Sequence, residues 1–517
     1  MKKILQKFSL YPDKTDIKSL ALSFLIINFA FLYHTLNFMW GNHDVVFIKE
    51  KLHLSSGLFE GRFTQFIPHW LLTDGQILPI INNFLGFAFL TLGLWLLAKY
   101  WNIPKKISLY TIFITFFATL PYTLSWMYFT FITISCLLWV MVAILGLYLS
   151  QYIATSSHKL FLTVISVLCF YITLGGYPPI INTFFVCLSA KITFDYLFEN
   201  NSLKKIFKTH LYTLGNIIIA AILFKLTLHF IKHNNVYNLQ SVPLSDMPQK
   251  FLETIFISLK QFPLSLPFME APYKMILLIM VIFAFVGAII KAPNLGKKAL
   301  TILFILGTVW FASLTTFLVV PHTEYVARID FYGLAFVYTF ALALLLKFKT
   351  PLAKSLSLIF ALIIIPFNIL NDYRALKIWK QGFDAEMQIL DNVIERIENS
   401  PKFNPDNLYR VYQAGDISLR PSYYKKDYTQ PEVFSLDLPY FAMWQTAPLL
   451  EFFSPFKYAD HNTPLLLSDI TPDVKDFIKN KARPWPHRNA VYVDENIIII
   501  ILSEPELQIL KEKLSQL

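Results

Sequence analysis

Charge is scarce in this 517-residue chain. Asp, Glu, Lys and Arg together supply 15% of it, against roughly a quarter in an ordinary soluble domain. That scarcity excludes a string of soluble domains. Cysteine is scarcer still. Cys136, Cys169 and Cys187 all lie inside apolar runs without CxxC spacing, which argues against a disulfide framework or a zinc–thiolate site. There is no P-loop, no GxGxxG after a strand, no HExxH and no GxSxG, so the common nucleotide, metalloprotease and serine-hydrolase signatures are missing. Internal repeats and low-complexity segments are absent too. No cleavable signal peptide is evident, because the first apolar run is long enough to stay in a bilayer and no small-residue cleavage site follows it. The net charge of +11 does not point to nucleic acid, since the lysines cluster between apolar runs, as they do in membrane proteins.

What the chain has in abundance is apolar length: 55% of its residues are hydrophobic. A membrane span takes about 20 apolar residues. About eleven such intervals can be read, near 18–38, 77–98, 107–121, 129–151, 160–175, 178–196, 209–230, 273–290, 299–320, 329–346 and 353–370. Pro121, Gly175-Gly176 and Pro178-Pro179 punctuate them. Every second connection is basic: Lys2, Lys3, Lys7, Lys14 and Lys18, then Lys99, Lys105 and Lys106, then Lys159, then Lys204, Lys205 and Lys208, then Lys291, Lys297 and Lys298, then Lys347, Lys349 and Lys354. By the positive-inside rule these connections and the N-terminus are cytoplasmic. An odd number of spans then puts the C-terminal region outside. The expectation is an α-helical polytopic membrane module over 1–370 and an extracytoplasmic α/β domain over 371–517.

The outer connections run at about 39–76, 231–272 and 321–328. In the first, LFEGRFTQFIPHWLL has helical apolar spacing suited to an interfacial helix. In the second, Phe251, Leu252, Ile255, Phe256, Leu259 and Phe262 share a face, with Glu253 and Lys260 off it. In the tail, NDYRALKIWKQGFDAEMQILDNVIERIENSP reads as an amphipathic helix ended by Pro401. LYRVYQAG, AVYV and IIIIIL read as strands, the last two joined as a hairpin through Asp494-Glu495-Asn496. Ser503-x-x-Glu506 is a capping-box pattern for a final helix.

Groups able to do chemistry gather at these outer connections. Asp44 lies just past the first span, with His43 beside it and Arg62 later in the same loop. A carboxylate near low-dielectric lipid is a stronger base than one in water, and a guanidinium grips phosphate bidentately. Both could equally be ordinary loop charges. VVPHTEYVARIDFYG places His322, Glu324, Tyr325, Arg328 and Asp330 together. Charge at a span's edge is costly unless paired or used, so Arg328 and Asp330 read either as an anchoring ion pair or as part of a site. Lys225 lies inside the seventh span near its outer end and either snorkels to the interface or faces an anionic head group. His34 stands near the outer end of span one. RPWPHR, 483–488, could touch sugar or phosphate or simply form a proline-rigid loop. The outer connections have no DxD pair, which weakens the case for a metal-bound nucleotide-sugar donor. Such a donor would also lie on the opposite side of the membrane.

The order of these features is that of a known family. A cytoplasmic N-terminus precedes an outer loop with one Asp and a GR-aromatic motif, Gly61-Arg62-Phe63. A later outer arginine, Arg328, opens a span. The last span runs into an Asn/Asp-rich amphipathic helix, and the chain closes with WPHRNAVYVDENIIIIIL. Over nearly its whole length the chain resembles the phage-type, serotype-converting O-antigen glucosyltransferases of the GT-C class. Phe63 stands where that family usually has Trp, and Ala327 where it usually has Pro. The resemblance implies an enzyme of the bacterial cytoplasmic (inner) membrane that takes a hexose, typically glucose, from undecaprenyl phosphate. It would pass the sugar to a lipid-linked or surface glycan at the outer face, with Asp44 as general base and no obligatory metal. Donor phosphate binding would fall to Arg62, Arg328 and Lys225, supported by His43, His322, Glu324 and Asp330. The alternatives are a flippase for a lipid-linked sugar, which should show polar or broken helices near the midplane, and another GT-C chemistry: polysaccharide polymerase, protein mannosyltransferase or lipid A aminosugar transferase.

Overall fold

The computed structural model describes the chain except for residues 1–9, 38, 40, 42–43, 45–50, 200, 232–244, 263–268, 270, 320–326, 416–442, 456, 459–469 and 516–517. His43, His322, Glu324 and Tyr325 lie outside the described residues. The chain divides into two compact units. One takes in Met1–Leu36, Leu52–Arg374 and Val433–Ser435; the other takes in Asn37–Lys51, Ala375–Glu432 and Leu436–Leu517.

The first unit is helical. Among the described residues, eight helices are long and apolar enough to cross a membrane: Pro79–Tyr100, Thr130–Ser150, Lys159–Gly176, Pro178–Leu197, Leu203–Phe230, Ala271–Lys291, Leu295–Ala312 and Pro351–Glu398. A ninth span forms if Ile107–Ala118 and Pro121–Met127, bent by 58°, count as one. The break falls at Pro121, whose missing N–H suits it to open the second segment. Two more intervals read from the sequence correspond to shorter helices, the 17-residue Lys14–Ala30 and the 14-residue Leu334–Lys347. The protein is thus a multi-pass membrane protein by length and composition.

Local chemistry sets the helix ends. Asp13 and Asp16 form a capping box at the start of Lys14–Ala30, and proline occupies the first turn of Pro79–Tyr100. Pro79–Tyr100 packs closely on Thr133–Ser150. A Cβ on Gly93 would come within 2.9 Å of the Met141 backbone, so only glycine lets the two helices approach that far. The interior is aromatic, with Trp101, Trp126, Tyr122, Tyr128 and Tyr338 almost wholly buried.

The second unit holds a four-stranded sheet: β1 (Leu408–Ala414), β2 (Lys457–Tyr458), β3 (Val491–Val493) and β4 (Ile497–Ile501), in the order β2-β1-β4-β3. β1 runs parallel to β2 and β4, while β3 and β4 are antiparallel, as the hairpin pattern suggested. All five isoleucines of β4 are buried, because both faces of the sheet are covered. Ile498 and Ile500 meet Leu390, Val393 and Ile397 of the long helix. Ile497, Ile499 and Ile501 meet Phe477, Leu507 and Leu510. A strand covered on both faces reads as an unbroken apolar run rather than an alternating one. The final helix is Glu504–Ser515. The RPWPHR segment packs on that long helix, Pro351–Glu398: the Arg396 guanidinium lies 4.2 Å from the Trp485 ring centroid and donates to the Pro486 and His487 carbonyls. Within the second unit, this segment therefore serves as a structural clamp.

Candidate functional site: two arginines on a buried tyrosine

The loop that carries Arg62 is held against the end of the helix Lys159–Gly176. Thr64 donates its backbone N–H to the Gly175 carbonyl at 3.0 Å and its hydroxyl to the Ile172 carbonyl at 2.6 Å. The Gly175 carbonyl sits in the last helical turn, which lacks intrahelical donors, so the loop caps the helix. Between these anchors Phe63 packs on Tyr171 and Phe224, with ring centroids 5.4 and 6.0 Å away. Gly175 makes room for it, since a Cβ there would stand 2.5 Å from the Phe63 ring.

This anchoring carries Arg62 to Tyr177, in the turn between Lys159–Gly176 and the following helix. The Arg62 guanidinium carbon is 5.2 Å from the Tyr177 ring centroid. Its Nη1 also reaches Glu60 at 2.7 Å, with both side chains about a third exposed. Such an exposed pair contributes about 0–1 kcal/mol, so a phosphate could displace Glu60 at little cost.

Arg328 arrives from the far end of the sequence, on the short helix Ala327–Asp330. Its guanidinium lies 4.9 Å from the Phe129 ring centroid and near enough to Tyr177 for its charge to act on that hydroxyl. Burial pushes the Tyr177 hydroxyl above its usual value, while the charges of Arg328 and Arg62 pull it back. Trp126 and Tyr332 complete the surround, at 5.2 and 5.3 Å from the Tyr177 ring. Thr183 holds the Tyr332 carbonyl at 2.9 Å. Cation–π contact occupies the flat face of a guanidinium and leaves its N–H edge available to a bidentate acceptor. Two guanidiniums sharing one tyrosine can therefore hold an anion such as phosphate.

The other sequence-derived residues fall in several places. Arg328 does not pair with Asp330; the Asp330 side chain is 4% exposed and its Oδ2 has no partner among the described residues. Lys225 is exposed and does not join the arginine cluster among the described contacts, although Leu228 of the same helix packs over Gly61. Asp44 belongs to the second unit. It is wholly buried, and its Oδ2 accepts the Gly41 N–H at 2.8 Å. His34 is also buried, 2.9 Å from the Asn83 amide.

The segment LFEGRFTQFIPHWLL contains a short helix, Ile67–Thr73. It exposes Trp70, Leu71 and Leu72, as a segment lying in a membrane interface would. Its His69 points inward, and burial pushes that imidazole down to about 3, so it is neutral at pH 7. In Met247–Gln261 the apolar face is divided. Phe251 packs one side on Trp310 at 4.3 Å but stays exposed on the other, as do Leu252 and Phe256. Among the described residues, no group of three or more His, Cys, Asp or Glu side chains could hold a metal ion.

Sequence reasoning missed Tyr177. Its signal was an aromatic residue between Gly175-Gly176 and Pro178-Pro179, a rigid break that fixes a side chain at the mouth of two helices.

Compared with curated proteins and with solved structures, the chain matches none. Compared with protein families, residues 50–347 match the model described as "Glucosyl transferase GtrII". The matched stretch carries both arginines and Tyr177 and covers more than half of the 517 residues. The chain therefore belongs to the GtrII glucosyl transferase family and is a membrane glycosyltransferase.

Proposed function

We propose that the protein moves a hexose, glucose, from a polyprenyl-phosphate carrier to a lipid-linked or surface glycan at the outer face of the bacterial cytoplasmic membrane. The observation that carries this reading is the convergence of Arg62 and Arg328 on Tyr177. In a single displacement the acceptor hydroxyl oxygen attacks the anomeric carbon, and the bond from that carbon to the phosphate oxygen breaks. The carbon passes through an oxocarbenium-like state. Asp44 takes the hydroxyl proton. The phosphate leaves with the bonding electron pair and gains a negative charge, which the two arginines stabilise. One displacement inverts the anomeric configuration. The lysine pattern supports a cytoplasmic N-terminus, with the arginine cluster and the C-terminal region outside. Lys225, His43, His322, Glu324 and Asp330 are proposed to support the same outer site.

The test is the intact mass of the surface glycan in wild type, a deletion strain and Asp44→Asn at wild-type expression. Loss of one hexose increment in both altered strains supports the reading, and Asp44→Asn should lower transfer about 10²–10⁴-fold. If the deletion alone loses the increment, Asp44 is not the general base and another group takes the proton. An increment other than a hexose would point to another GT-C transfer.

A further inference from the structure

Glu60 holds a place in the candidate site that the transfer mechanism above does not use. Its carboxylate meets the Arg62 Nη1 at 2.7 Å, with the two side chains 33% and 28% exposed, so a ligand can reach both from solvent. Among the described residues, no other carboxylate pairs with Arg62 or Arg328. The pairing is built into the backbone. The Gly57 carbonyl accepts the N–H groups of both Glu60 and Arg62, at 3.2 and 2.8 Å. Gly61 turns between them at φ +72°, a conformation that costs glycine little, and a Cβ there would meet Leu228 at 2.8 Å. Glu60 and Arg62 therefore leave one tight turn as neighbours. The two Thr64 hydrogen bonds hold the same loop from its other side.

A site that stabilises a leaving phosphate must also let that phosphate go. The sugar-linked phosphodiester carries one negative charge. The phosphate monoester left after transfer carries about 1.5 to 2 at pH 7. Two guanidiniums with no competing anion would hold this product more tightly than the donor. Tight binding of a ground state does not speed turnover. A carboxylate tethered beside the guanidinium competes with any phosphate for it, at an effective concentration set by the short turn. Once displaced, it stays close and repels the ligand, and the more highly charged product feels that repulsion more.

We propose that Glu60 is a placeholder for the phosphate. It occupies Arg62 Nη1 between turnovers, yields it to the donor, and returns to it as the carrier phosphate leaves. Glu60 acts through Arg62 and does not touch the sugar, so it is a positioning residue that sets the balance between donor and product. The proposal rests on the polyprenyl-phosphate reading above.

The experiment uses the purified full chain in detergent. Farnesyl phosphate probes the product, farnesyl-phosphate glucose the donor, and inorganic phosphate the anion without its lipid. At low salt Glu60→Gln should bind farnesyl phosphate about fivefold tighter than wild type, the upper end for one exposed ion pair, and the donor probe tighter by a smaller factor. The gain should shrink as salt is raised, because exposed charges are screened. In an Arg62→Gln background the same change should alter affinity by less than about twofold, since the double-mutant cycle isolates the pair. In native membranes Glu60→Gln should still transfer sugar, with inhibition by farnesyl phosphate setting in at about one fifth of the wild-type concentration. Equal or weaker binding of farnesyl phosphate by Glu60→Gln overturns the proposal, as does a gain that survives undiminished without Arg62. Loss of transfer while farnesyl phosphate still binds also overturns it, because Glu60 would then take part in the chemistry itself. If wild type and Glu60→Gln bind neither lipid, the polyprenyl-phosphate reading fails instead. Inorganic phosphate then decides the placeholder by the same comparison: tighter binding by Glu60→Gln supports it, and equal or weaker binding overturns it.

Discussion

The two ends of the helical unit differ in whether positive charge meets a buried carboxylate. At the lysine-rich end ring faces also lie beside cations, as Trp95 lies 4.1 Å from Lys99, but buried carboxylates hold the charge there. Asp16, wholly buried, meets Lys105 at 2.9 Å and Lys99 at 3.5 Å and accepts the Trp95 indole N–H at 3.0 Å. Asp195 meets both Lys191 and His210 at 2.9 Å. At the other end, Arg62 and Arg328 rest on the ring faces of Tyr177 and Phe129, and the carboxylate beside Arg62 is a part-exposed Glu60. Charges that meet their counter-charges inside the fold hold it together. Charges without a buried counter-charge keep their hydrogen-bonding edges for something that arrives later. The location of positive charge therefore says less about its role than whether a buried carboxylate meets it.

Substitutions at each end can sharpen or break this contrast. The largest expected effect is on stability, at the lysine-rich end. Asp195→Leu leaves Lys191 and His210 buried without their shared carboxylate and should cost about 3–5 kcal/mol. Thermal melting should show the loss, while transfer per folded molecule stays close to wild type; a selective loss of transfer would erase the contrast. Arg328→Ala should do the reverse, with melting little changed and transfer down about 10²–10³-fold, the range for removing one transition-state donor. Arg328→Lys should recover only part of it, because an ammonium lacks the planar fork. Full recovery by lysine would mean that a point charge suffices. Gly175→Ala pushes on Phe63 and so displaces the Arg62 loop from a distance. An overpacking cost of about 1–3 kcal/mol is expected, and transfer should fall more than binding of an acceptor analogue.

The smallest effect lies in the second unit, where Asp494 meets Lys402 at 2.9 Å. Burial raises the Asp494 carboxyl, but hydrogen bonds from Lys402, the Glu495 backbone and Thr471 outweigh it and hold the carboxyl below its usual value. A carboxyl lowered on folding contributes stability above its unfolded pKa of about 3.9, and that contribution disappears as pH falls through the folded value. Lys402 is 44% exposed, so Lys402→Met should cost less than about 1 kcal/mol at pH 7 and nothing measurable near pH 2. Melting curves at the two pH values check it; an equal loss at both would assign the effect to packing.

Much of the fold was legible because bilayer thickness and the pairing of backbone polar groups leave the chain few choices. Each apolar interval coincides with a helix, and the bend at Pro121 was announced by the proline itself. The interval 329–346 was too long, because Phe331, Tyr332 and Gly333 form a turn between two helices rather than part of one. The two-residue β2 left no periodicity to read. For the candidate site, Arg62 and Arg328 could be singled out one at a time, since charge stands out beside lipid. Their meeting at Tyr177 could not, because contacts between residues so far apart in sequence leave no local pattern. Glu60 gave no signal of its own beside Gly61-Arg62-Phe63, and only its contact with Arg62 sets it apart.

The two hydrogen bonds from Thr64 to the end of Lys159–Gly176 have a further consequence. They fix the register of the loop two residues beyond Arg62. An inserted residue between Arg62 and Thr64 would shift the guanidinium by roughly 3.5 Å, more than a hydrogen bond can follow. At this end of the protein, new specificities are open to substitution and closed to changes in loop length. A library that varies side chains around Gly61-Arg62-Phe63 should yield active variants, whereas one that varies the length there should yield folded proteins that do not transfer.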